Sequence, residues 1–534
     1  MRDLNEDAGT VAGFSIATAG ATMRQVYEDM DTFDDNVVRF LAFDVSDKPY
    51  AASIAFIARV IESMRLRKSL KIIRFFHYAK TAPPLRVRRQ NTWSAPYTGA
   101  HSEPPVINTS KWTAPIAHNF DRKHSNFEDY LEGHLDVMPP ALEGIRVIEI
   151  TEALAGPYCA MLLGDLGADV IKVERPGIGD QSRSWGPPFI GSESAYFLAT
   201  NRNKRSLTLN YDQAHGREIL QRLIAAADIV MFNNPSLASL ARRGMDPDTL
   251  CKQHPRLIYC AISGYGFSGP KAGLPGYDII AQAEAGVWSF TGNPDTQPVR
   301  YPVAIADITC GIYATIGILA ALFAREKTGR GQFLDTALLD CQLTWLANIG
   351  SNYLNAHESP QRWGNAHPSI VPYQVFRGSD GRHFVVAIGT ELLWSRFTRV
   401  LGAEETLGRD PRFASNALRT KHRNELILTL EGILQQSPSA TWLEHLSKAQ
   451  VPAAAIQTVG EALNDPQTLA RGLIVSIEHP AIGVARSIAN PVRLSGTPPL
   501  YRLPPPMLGE HTEAILRELR CSPDDIAASS GNSP

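Results

Sequence analysis

The feature that most constrains this 534-residue chain is an alternation of apolar runs and a helical segment that begins near residue 145. Residues 145–150 (IRVIEI) and 169–174 (DVIKVE) are short runs rich in β-branched side chains, which are typical of buried strands. Between them, Pro157 suits the first turn of a helix and Gly167 suits its end. This strand–helix–strand unit predicts parallel strands joined by a crossover helix.

The alternation of apolar runs and helical segments continues to about residue 340. Three more apolar runs predict strands, at residues 229–232, 257–262 and 302–306. A helical pattern covers residues 216–226, and the apolar run 311–324 is too short to span a bilayer and predicts a buried core helix. We therefore expect an α/β fold whose Rossmann-like large domain occupies residues 140–340, with no membrane association.

The pattern changes after residue 360. A loop at 364–372 precedes two apolar runs, 375–376 and 383–388, which flank the turn residues Ser379, Asp380 and Gly381 and predict a β-hairpin. Helical patterns follow at residues 392–401 and 421–435. These signals predict a smaller α+β domain over residues 363–460. Linkers are expected at 341–362 and from 461, and a last helix near 512–519 is expected to return the chain to the large domain.

Residues 1–139 form an N-terminal extension of different composition. From Arg65 to Arg89 there are nine Lys or Arg, and no Asp or Glu occurs between Glu62 and Glu103. Residues 66–76 mix basic and apolar side chains as an amphipathic helix does, so segment 64–90 predicts a mitochondrial presequence, with a solvated basic linker as the alternative. Because presequences begin at the initiating methionine, we expect translation to start at Met64 and the protein to lie in the mitochondrial matrix, with the cytoplasm as second choice. Residues 90–139 predict a linker.

Charge and cysteine usage exclude several classes of function. The formal net charge of −2 does not favour a nucleic-acid partner. The six cysteines form no C-x-x-C pair and no cluster with metal-ligand spacing, so we expect no metal site. Sparse cysteines of this kind suit a reducing compartment.

Asp307 is the first candidate for catalysis. It follows the predicted strand 302–306 and precedes the predicted helix 311–324. A carboxylate there lies at the edge of the sheet where α/β proteins bind ligands, and the helix N-terminus would keep it ionised. The same position suits an ordinary helix cap, so position alone leaves both interpretations open. Two glycine-containing loops, at 263–270 and 364–368, could approach a ligand closely.

From residue 142 to near its end, the chain resembles the family III CoA-transferases, the group that includes formyl-CoA transferases and acyl-CoA racemases. Five segments carry the resemblance together: 155–157 (AGP), 163–174 (LGDLGADVIKVE), 201–207 (NRNKRSL), 275–278 (PGYD) and 327–332 (KTGRGQ). Asp307 lies where this family has its nucleophilic aspartate, which favours catalysis over capping. The resemblance also implies a homodimer of two interlocked chains.

Three further segments resemble the branch of the family that uses succinyl-CoA and a dicarboxylic acid: 185–189 (WGPPF), 362–367 (RWGNAH) and 369–374 (SIVPYQ). The implied reaction passes CoA from succinyl-CoA to an acid such as glutarate or hydroxymethylglutarate. It proceeds through a mixed anhydride and then a CoA thioester on Asp307. Coenzyme A and acyl-CoA are then substrates, together with the carboxylic acids, and no permanently bound cofactor is implied.

The family motifs also imply which residues bind ligands. The CoA-binding set carried over is Leu154, Ala155, Arg175, Leu209, Asn210, Asn233, Arg242, Tyr277 and Asp278. Gly364, Asn365 and His367 are expected to belong to a substrate loop that helps to close the site. Apart from the resemblance, the arginines would be interpreted as solvated charges and Leu154 and Leu209 as ordinary core residues.

One segment departs from the family pattern. Where the family has Val-Glu-Asn-Phe and then Pro-Gly, this chain has residues 231–237 (MFNNPSL), so Phe232 replaces the glutamate and the glycine is missing. The position of the following arginine, Arg242, is therefore uncertain by about one residue.

Three alternative functions remain. A racemase of the same superfamily needs a histidine base where this chain has Tyr277, and a tyrosine pKa near 10 makes a poor base at neutral pH. A nucleotide-dependent dehydrogenase would need G-x-G-x-x-G in the first turn, where residues 151–157 read TEALAGP. A non-catalytic CoA-binding protein would have no use for Asp307.

Overall fold

The computed structural model describes residues 14–17, 86–89, 138–234 and 236–522. The chain divides into two compact units, Met1–Asp121 and Arg122–Pro534. In the first unit, β1 (Phe14–Ala17) pairs antiparallel with β2 (Arg86–Arg89). The predicted start at Met64, the amphipathic helix after it and nearly all of the predicted linker 90–139 lie outside the described residues.

The second unit is built around a parallel sheet. Its first eight strands are β3 (Arg146–Ile150), β4 (Asp169–Glu174), β5 (Phe189–Ile190), β6 (Glu193–Ser194), β7 (Lys204–Thr208), β8 (Ile229–Phe232), β9 (Ile258–Ser263) and β10 (Phe333–Ala337). β5 and β6 form a separate small hairpin. The other six strands form one sheet in the order β10-β9-β8-β3-β4-β7, and every pairing is parallel.

The order of the strands reverses beside β3. The chain runs from β3 outward through β4 to β7, and it then returns to the other side of β3 and continues outward through β8 and β9 to β10. The crossovers on the two sides leave the sheet in opposite directions, so a crevice opens at the carboxyl ends of β3 and β8. The α/β fold expected from the sequence is confirmed.

Helices cover both faces of this sheet. They are α1 (Ala155–Asp165), α2 (Ala195–Leu198), α3 (Ala214–Ala225), α4 (Leu237–Arg242), α5 (Pro247–Gln253), α6 (Asp278–Glu284), α7 (Ile305–Thr328) and α8 (Leu338–Leu343). One apolar core joins the sheet to α1, α6, α7 and α8. The core on the opposite face joins it to α3, α4 and α5. The two cores make the three-layer arrangement that buries both faces of a parallel sheet.

The prediction of a strand at residues 302–306 is wrong. Ile305 and Ala306 instead form the first turn of α7, so Asp307 is the third residue of a helix and does not follow a strand. A short apolar run cannot by itself distinguish a strand from the start of a buried helix. Here the Ala306 N–H is taken by the Asp278 side chain at 2.8 Å, which anchors the helix start.

The long helix α7 is buried on one side only. Cys310, Ala314 and Ile318 lie in the core, whereas Ile316 and Phe323 are 55% and 66% exposed. The prediction of a helix at residues 311–324 is confirmed. The prediction that this helix is buried is correct for one of its faces only. By length and composition α7 could cross a membrane, but the core helix of a soluble protein meets the same two criteria.

After α8 the chain enters a helical segment and then a second, smaller set of elements. α9 (Ala347–Ala356) lies within the predicted linker 341–362, and a three-stranded antiparallel sheet follows, β11 (Tyr373–Arg377), β12 (His383–Ala387) and β13 (Ala453–Ala455). The helices that follow are α10 (Glu391–Val400), α11 (Asn416–Lys421), α12 (Arg423–Leu434) and α13 (Ser439–Lys448). The sheet packs with α10, α12 and α13 around its own apolar core. The predicted hairpin and both helices after it are confirmed.

The C-terminal part contains α14 (Val459–Leu463), α15 (Pro466–Ala470), the hairpin of β14 (Ile474–His479) and β15 (Gly483–Ile488), and α16 (Thr512–Glu518). Ile515 and Leu516 of α16 lie in the same core as Val173 and Leu207 of the large sheet. The backbone N–H of His511 also donates to the carbonyl of Ser206 at 3.0 Å. The last helix therefore packs on the large sheet beside β7.

Candidate active site

A cavity of about 260 Å3 lies at the carboxyl ends of β3, β4 and β8, where the strand order reverses. Its lining includes Glu152 after β3, Arg175 after β4, Tyr211 after β7, and Asn233 and Arg243 after β8. This is the position at which open α/β sheets bind nucleotide-like ligands. Two guanidinium groups at its edge suit a phosphate-bearing ligand such as CoA.

Two of the predicted CoA-binding residues line this cavity. The Arg175 guanidinium is 3.7 Å from the Glu152 carboxylate, and more than half of the Arg175 side chain is exposed. The amide nitrogen of Asn233 donates to the Glu152 carbonyl at 2.9 Å. Asn233 therefore ties the end of β8 to the turn after β3, while Arg175 remains available at the mouth of the cavity.

Other predicted residues lie beside the cavity without lining it. Leu209 is buried in the core under α3, and it is the nearby Tyr211 that reaches the cavity. Arg242 is exposed at the end of α4, whereas Arg243, the residue after that helix, lines the cavity. The one-residue uncertainty after the unusual segment 231–237 therefore points to Arg243, which sequence reasoning missed.

In the unusual segment 231–237, side-chain hydrogen bonds cap the start of α4. The Asn234 side chain accepts a hydrogen bond from Ser236 N–H at 2.9 Å, and the Ser236 hydroxyl in turn accepts from Ser239 N–H at 3.2 Å. Phe232, which stands where the family has glutamate, is buried and stacks on Tyr259 at 5.3 Å between ring centroids. This part of the cavity wall is therefore apolar.

Leu154 and Ala155 form the start of α1, and this turn contacts the helix that carries Asp307. Leu154 is the N-cap residue and Ala155 is buried. Gly311, one helical turn after Asp307, lies so close to Ala155 that an added Cβ would be 2.7 Å from the Ala155 carbonyl oxygen. The absence of a side chain at Gly311 thus lets α7 approach the predicted CoA-binding turn.

Asp307 lies in the first turn of α7, half-buried, with a perturbed acidity. Burial raises its pKa to about 7, and the nearby Asp278 carboxylate contributes to the rise. The sequence predicted that the helix N-terminus keeps Asp307 ionised; burial and Asp278 oppose ionisation, so this carboxyl group titrates near neutral pH. A carboxyl group that titrates near neutral pH in a cleft is typical of functional sites.

Asp278, predicted to bind CoA, instead faces the backbone at the start of α7. Its carboxylate accepts the Ala306 N–H at 2.8 Å and the Gln282 amide N–H at 2.8 Å. Gln282 in turn accepts the Tyr301 N–H at 3.1 Å. Asp278 and Gln282 therefore fix the chain that leads into Asp307, and Tyr277 just before them is 61% exposed.

Tyr196 on α2 belongs to the same neighbourhood and was missed by sequence reasoning. Burial raises its pKa to about 12, and the carboxylates of Asp307, Asp278 and Asp180 add to the rise. Its ring packs edge-on against Trp185 at 4.9 Å between centroids. Tyr196 thus keeps its proton at neutral pH.

The predicted loop at 364–372 connects the small domain to the segment before α7. Gly364, with φ +61°, donates its N–H to the Gly292 carbonyl at 3.0 Å. The Asn365 side chain accepts the Val375 N–H at 3.1 Å, so it ties the loop to β11. The His367 ring accepts the Ser369 N–H at 3.1 Å, and burial together with Arg423 lowers the pKa of His367.

The glycines of the 263–270 loop have a structural reason. A Cβ on Gly264 would lie 2.5 Å from the Cα of Gly276, so the two backbones touch. The Leu339 N–H also donates to the Gly264 carbonyl at 3.1 Å. At Gly264 the close approach expected for a ligand is to another segment of the same chain.

In the described part of the chain no group of three or more His, Cys, Asp or Glu is suited to hold a metal ion.

The chain is similar to known proteins over about 70% of its length. A family profile described as CoA-transferase family III matches residues 142–512. The succinyl-CoA:glutarate CoA-transferase of Mus musculus is 39% identical over 384 residues, covering 72% of this chain and 87% of the mouse protein. The succinate–glutarate CoA-transferase of Agrobacterium fabrum is 41% identical over 386 residues, covering 71% of this chain and 96% of that protein. A CaiB/BaiF family protein from Brucella suis, solved by crystallography, shares 42% identity with a TM-score of 0.65 and covers 72% of this chain and 100% of its own.

Proposed function

Because this chain belongs to the family III CoA-transferases, we propose that it transfers CoA from succinyl-CoA to a second dicarboxylic acid such as glutarate, with Asp307 as the acyl acceptor. The observation that carries the proposal is the position of Asp307, whose helix packs through Gly311 against the turn beside the cavity. A partly buried carboxylate there is desolvated, which favours attack on a bound thioester.

The proposed exchange balances without an external energy source. The Asp307 carboxylate attacks the thioester carbonyl of succinyl-CoA and expels CoA thiolate, which leaves a succinyl–aspartyl mixed anhydride. The thiolate then attacks the aspartyl carbonyl and releases succinate, so the enzyme holds an aspartyl-CoA thioester. The acceptor carboxylate repeats the two steps in reverse order, and Asp307 is regenerated as the new acyl-CoA leaves.

The surrounding residues support three roles in this sequence. Asp278 and Gln282 fix the backbone that presents Asp307. The protonated phenol of Tyr196 supplies a hydrogen-bond donor for the oxyanion that forms when a carbonyl is attacked. Arg175 and Arg243 hold the phosphates of CoA, which is exchanged as a substrate and is not a permanent cofactor.

The test is an exchange assay in which succinyl-CoA is incubated with a panel of dicarboxylic acids and the products are identified by mass. Wild-type enzyme should form the new acyl-CoA, and Asp307→Asn should bind CoA but form none. Asp340→Asn is the matched control, because Asp340 is an exposed acid in the first turn of α8. Exchange by Asp307→Asn at the wild-type rate, or a trapped acyl adduct on another residue, would contradict the proposal.

Racemisation is not favoured by this site. The position where racemases of the superfamily need a histidine is occupied by Tyr277, and its side chain is 61% exposed at the start of α6. A solvent-exposed phenol is a poor base for removing a proton next to a thioester carbonyl. Unchanged stereochemistry of a chiral 2-methylacyl-CoA after prolonged incubation would agree with this interpretation.

We also propose that two copies of the chain associate through the exposed apolar faces of α7 and α9. Ile316 and Phe323 on α7 and Leu354 on α9 are more than half exposed, and α9 has no buried residue. Apolar faces of this extent are unusual on an isolated subunit, and an interlocked homodimer would cover them. Light scattering should give twice the chain mass, and a monomer at micromolar concentration would contradict the proposal.

The location proposed for the protein is the mitochondrial matrix, on the basis of the basic, acid-free segment 64–90. Fusing residues 64–139 to a fluorescent protein should direct that protein to mitochondria. A diffuse cytoplasmic signal would contradict the proposal. N-terminal peptides from residues 1–63 in the purified native protein would contradict the expected start at Met64.

A further inference from the structure

A cluster of buried charges lies behind the turn that forms one wall of the cavity. Lys172 on β4, Lys204 on β7, Glu149 on β3 and Asp180 after β4 are all essentially inaccessible to solvent. The Lys172 ammonium lies 3.0 Å from Glu149 and 2.8 Å from Asp180, and the Lys204 ammonium lies 2.9 Å from Glu149. Two cations thus face two anions, and the cluster is neutral.

Asp180 and Lys204 keep their charges at neutral pH. Although burial opposes it, Lys172 and neighbouring donors hold the pKa of Asp180 at about 2. Burial lowers the pKa of Lys204 to about 8, against the attraction of Glu149. A buried ion pair is a costly way to stabilise a fold, because apolar residues of similar volume often serve as well. A specific structural task is therefore a better account of the cluster.

The remaining hydrogen bonds of the four buried charges indicate this task. Lys172 donates to the Thr151 carbonyl at 2.8 Å, and Lys204 donates to the Pro157 carbonyl at 2.9 Å. Asp180 accepts the Ala153 N–H at 3.1 Å. Glu149 accepts the Thr151 hydroxyl at 2.9 Å. All four charges therefore hold the same short segment, residues 151–157, through four hydrogen bonds to three residues.

The segment they hold contains a strained residue. Ala153 has φ +72°, a conformation that residues with a Cβ rarely adopt. Such a conformation persists only when the surroundings determine it, and it is concentrated at functional sites. Ala153 immediately precedes Leu154, while Ile150 and Glu152 on its other side line the cavity. The cavity lining found in the described residues does not include Lys172, Lys204 or Asp180.

We propose that Lys172, Lys204 and Asp180 are positioning residues for the CoA thioester, which hold residues 151–157 in the binding conformation, with Ala153 left-handed, before the ligand arrives. The inference rests on the proposed function only for the identity of the ligand. Pre-setting the turn removes the cost of ordering it on binding, so the cluster acts on the affinity for CoA and not on the chemistry at Asp307.

The key variant is Asp180→Asn. An amide of the same volume has one oxygen, so it can serve Lys172 or the Ala153 N–H but not both. Calorimetric titration with free CoA should show Kd raised by about tenfold, a loss of about 1.4 kcal/mol, and the KM for succinyl-CoA should rise while kcat changes little. Adding Ala153→Gly should recover part of the affinity, because glycine adopts the left-handed conformation without strain.

The matched control is Asp165→Asn, which alters an equally buried carboxylate at the other end of α1. Asp165 pairs with Arg202 at 2.6 Å and does not contact residues 151–157 in its described interactions. This variant should lower the melting temperature and leave the Kd for CoA unchanged. An unchanged Kd in Asp180→Asn, or an equal loss in both variants, would overturn the proposal, as would failure of Ala153→Gly to restore any affinity.

A measurement on the wild-type protein covers the case in which Asp180→Asn does not fold. Hydrogen–deuterium exchange of a peptide spanning residues 151–157 should already be slow without CoA. Fast exchange that becomes slow only when CoA is added would overturn the proposal. Calorimetry and exchange need no turnover, so an enzyme that binds CoA but transfers none would count against the proposed function and leave this test valid.

Discussion

The Asp278 carboxylate accepts the backbone N–H of Ala306 at 2.8 Å, the residue immediately before Asp307. Asp278 thus serves Asp307 in two opposed ways. It anchors the helix turn that presents Asp307, and its negative charge contributes to the raised pKa of that carboxyl group. The two effects can be separated experimentally, because an amide can accept the same hydrogen bond without the charge.

Asp278→Asn should move the acid limb of the pH profile of kcat/KM to lower pH. Removing the negative neighbour makes it easier to ionise Asp307, so the pKa of Asp307 falls. Initial rates measured from pH 5 to pH 8.5 would show the shift. Asp278→Ala also removes the hydrogen bond and should lower stability by about 0.5–2 kcal/mol. A profile unchanged in Asp278→Asn would show that Asp278 has no electrostatic influence on Asp307.

The wild-type enzyme should lose activity below about pH 7 through a single ionisation. The nucleophile is the ionised carboxylate, and Asp307 has a pKa of about 7 in the folded protein. The pH dependence of kcat/KM reports this group in the free enzyme, provided that the substrate acids remain ionised over the range used. A rate that stays constant down to pH 5.5 would contradict the assignment.

Asp307→Asn should make the protein more stable while it abolishes exchange. Folding raises the pKa of Asp307 from 3.8 to about 7, so stability is lost as the pH rises through this interval. At pH 8 the cost is at most about 4 kcal/mol, and it is smaller in proportion to the exposure of the half-buried group. Thermal unfolding should therefore show a higher Tm for the variant at pH 8, and the difference should shrink at pH 5. A lower Tm at pH 8 would contradict the prediction.

Gly311→Ala should separate α7 from α1. The new Cβ would lie 2.7 Å from the Ala155 carbonyl, a backbone atom that cannot move aside alone. We expect a loss of about 1–3 kcal/mol in stability and a higher KM for succinyl-CoA. Gly432→Ala in α12 is the matched control, since nothing lies within 4 Å of its added Cβ. That control should gain up to about 1 kcal/mol, because alanine favours a helix over glycine.

Arg243→Ala should raise the KM for succinyl-CoA more than Arg242→Ala does. Arg243 lines the cavity, whereas its neighbour is exposed outside the lining. Losing a charge-assisted hydrogen bond to phosphate costs about 1.5–3 kcal/mol, or roughly a tenfold to hundredfold weaker binding. Equal effects of the two substitutions, or a larger effect of Arg242→Ala, would place the CoA phosphates elsewhere.

The sequence predicted most of the elements that build the large domain. Its central strands are continuous apolar runs, and a buried parallel strand leaves that signal wherever both faces are covered. β7 and β10 were missed. The core of β7 contains Lys204, whose charge is satisfied by Glu149, by the Asn201 side chain and by the distant Pro157 carbonyl. Such a lysine is interpreted from sequence as exposed, and only the tertiary fold shows its partners.

The sequence identified Asp307 as the candidate residue but did not predict the local structure around it. Asp307 was found because the family resemblance outweighed its local context, and the supposed strand before it turned out to be a helix start. Arg243 lines the cavity and the predicted Arg242 does not, in a stretch where Asn234 and Ser236 cap the start of α4. Tyr196 left no local signal, since its importance comes from carboxylates that are distant in sequence.

The contact between Gly264 and Gly276 sets a practical limit on redesign of this enzyme. Each glycine leaves the room that the other backbone occupies, so a side chain at either position would push the two loops apart. A mutant library covering this stretch should keep both positions fixed and vary the exposed residues 268–274 between them. Random mutagenesis that includes Gly264 or Gly276 would disturb a backbone contact two residues before Asp278, which anchors the start of α7.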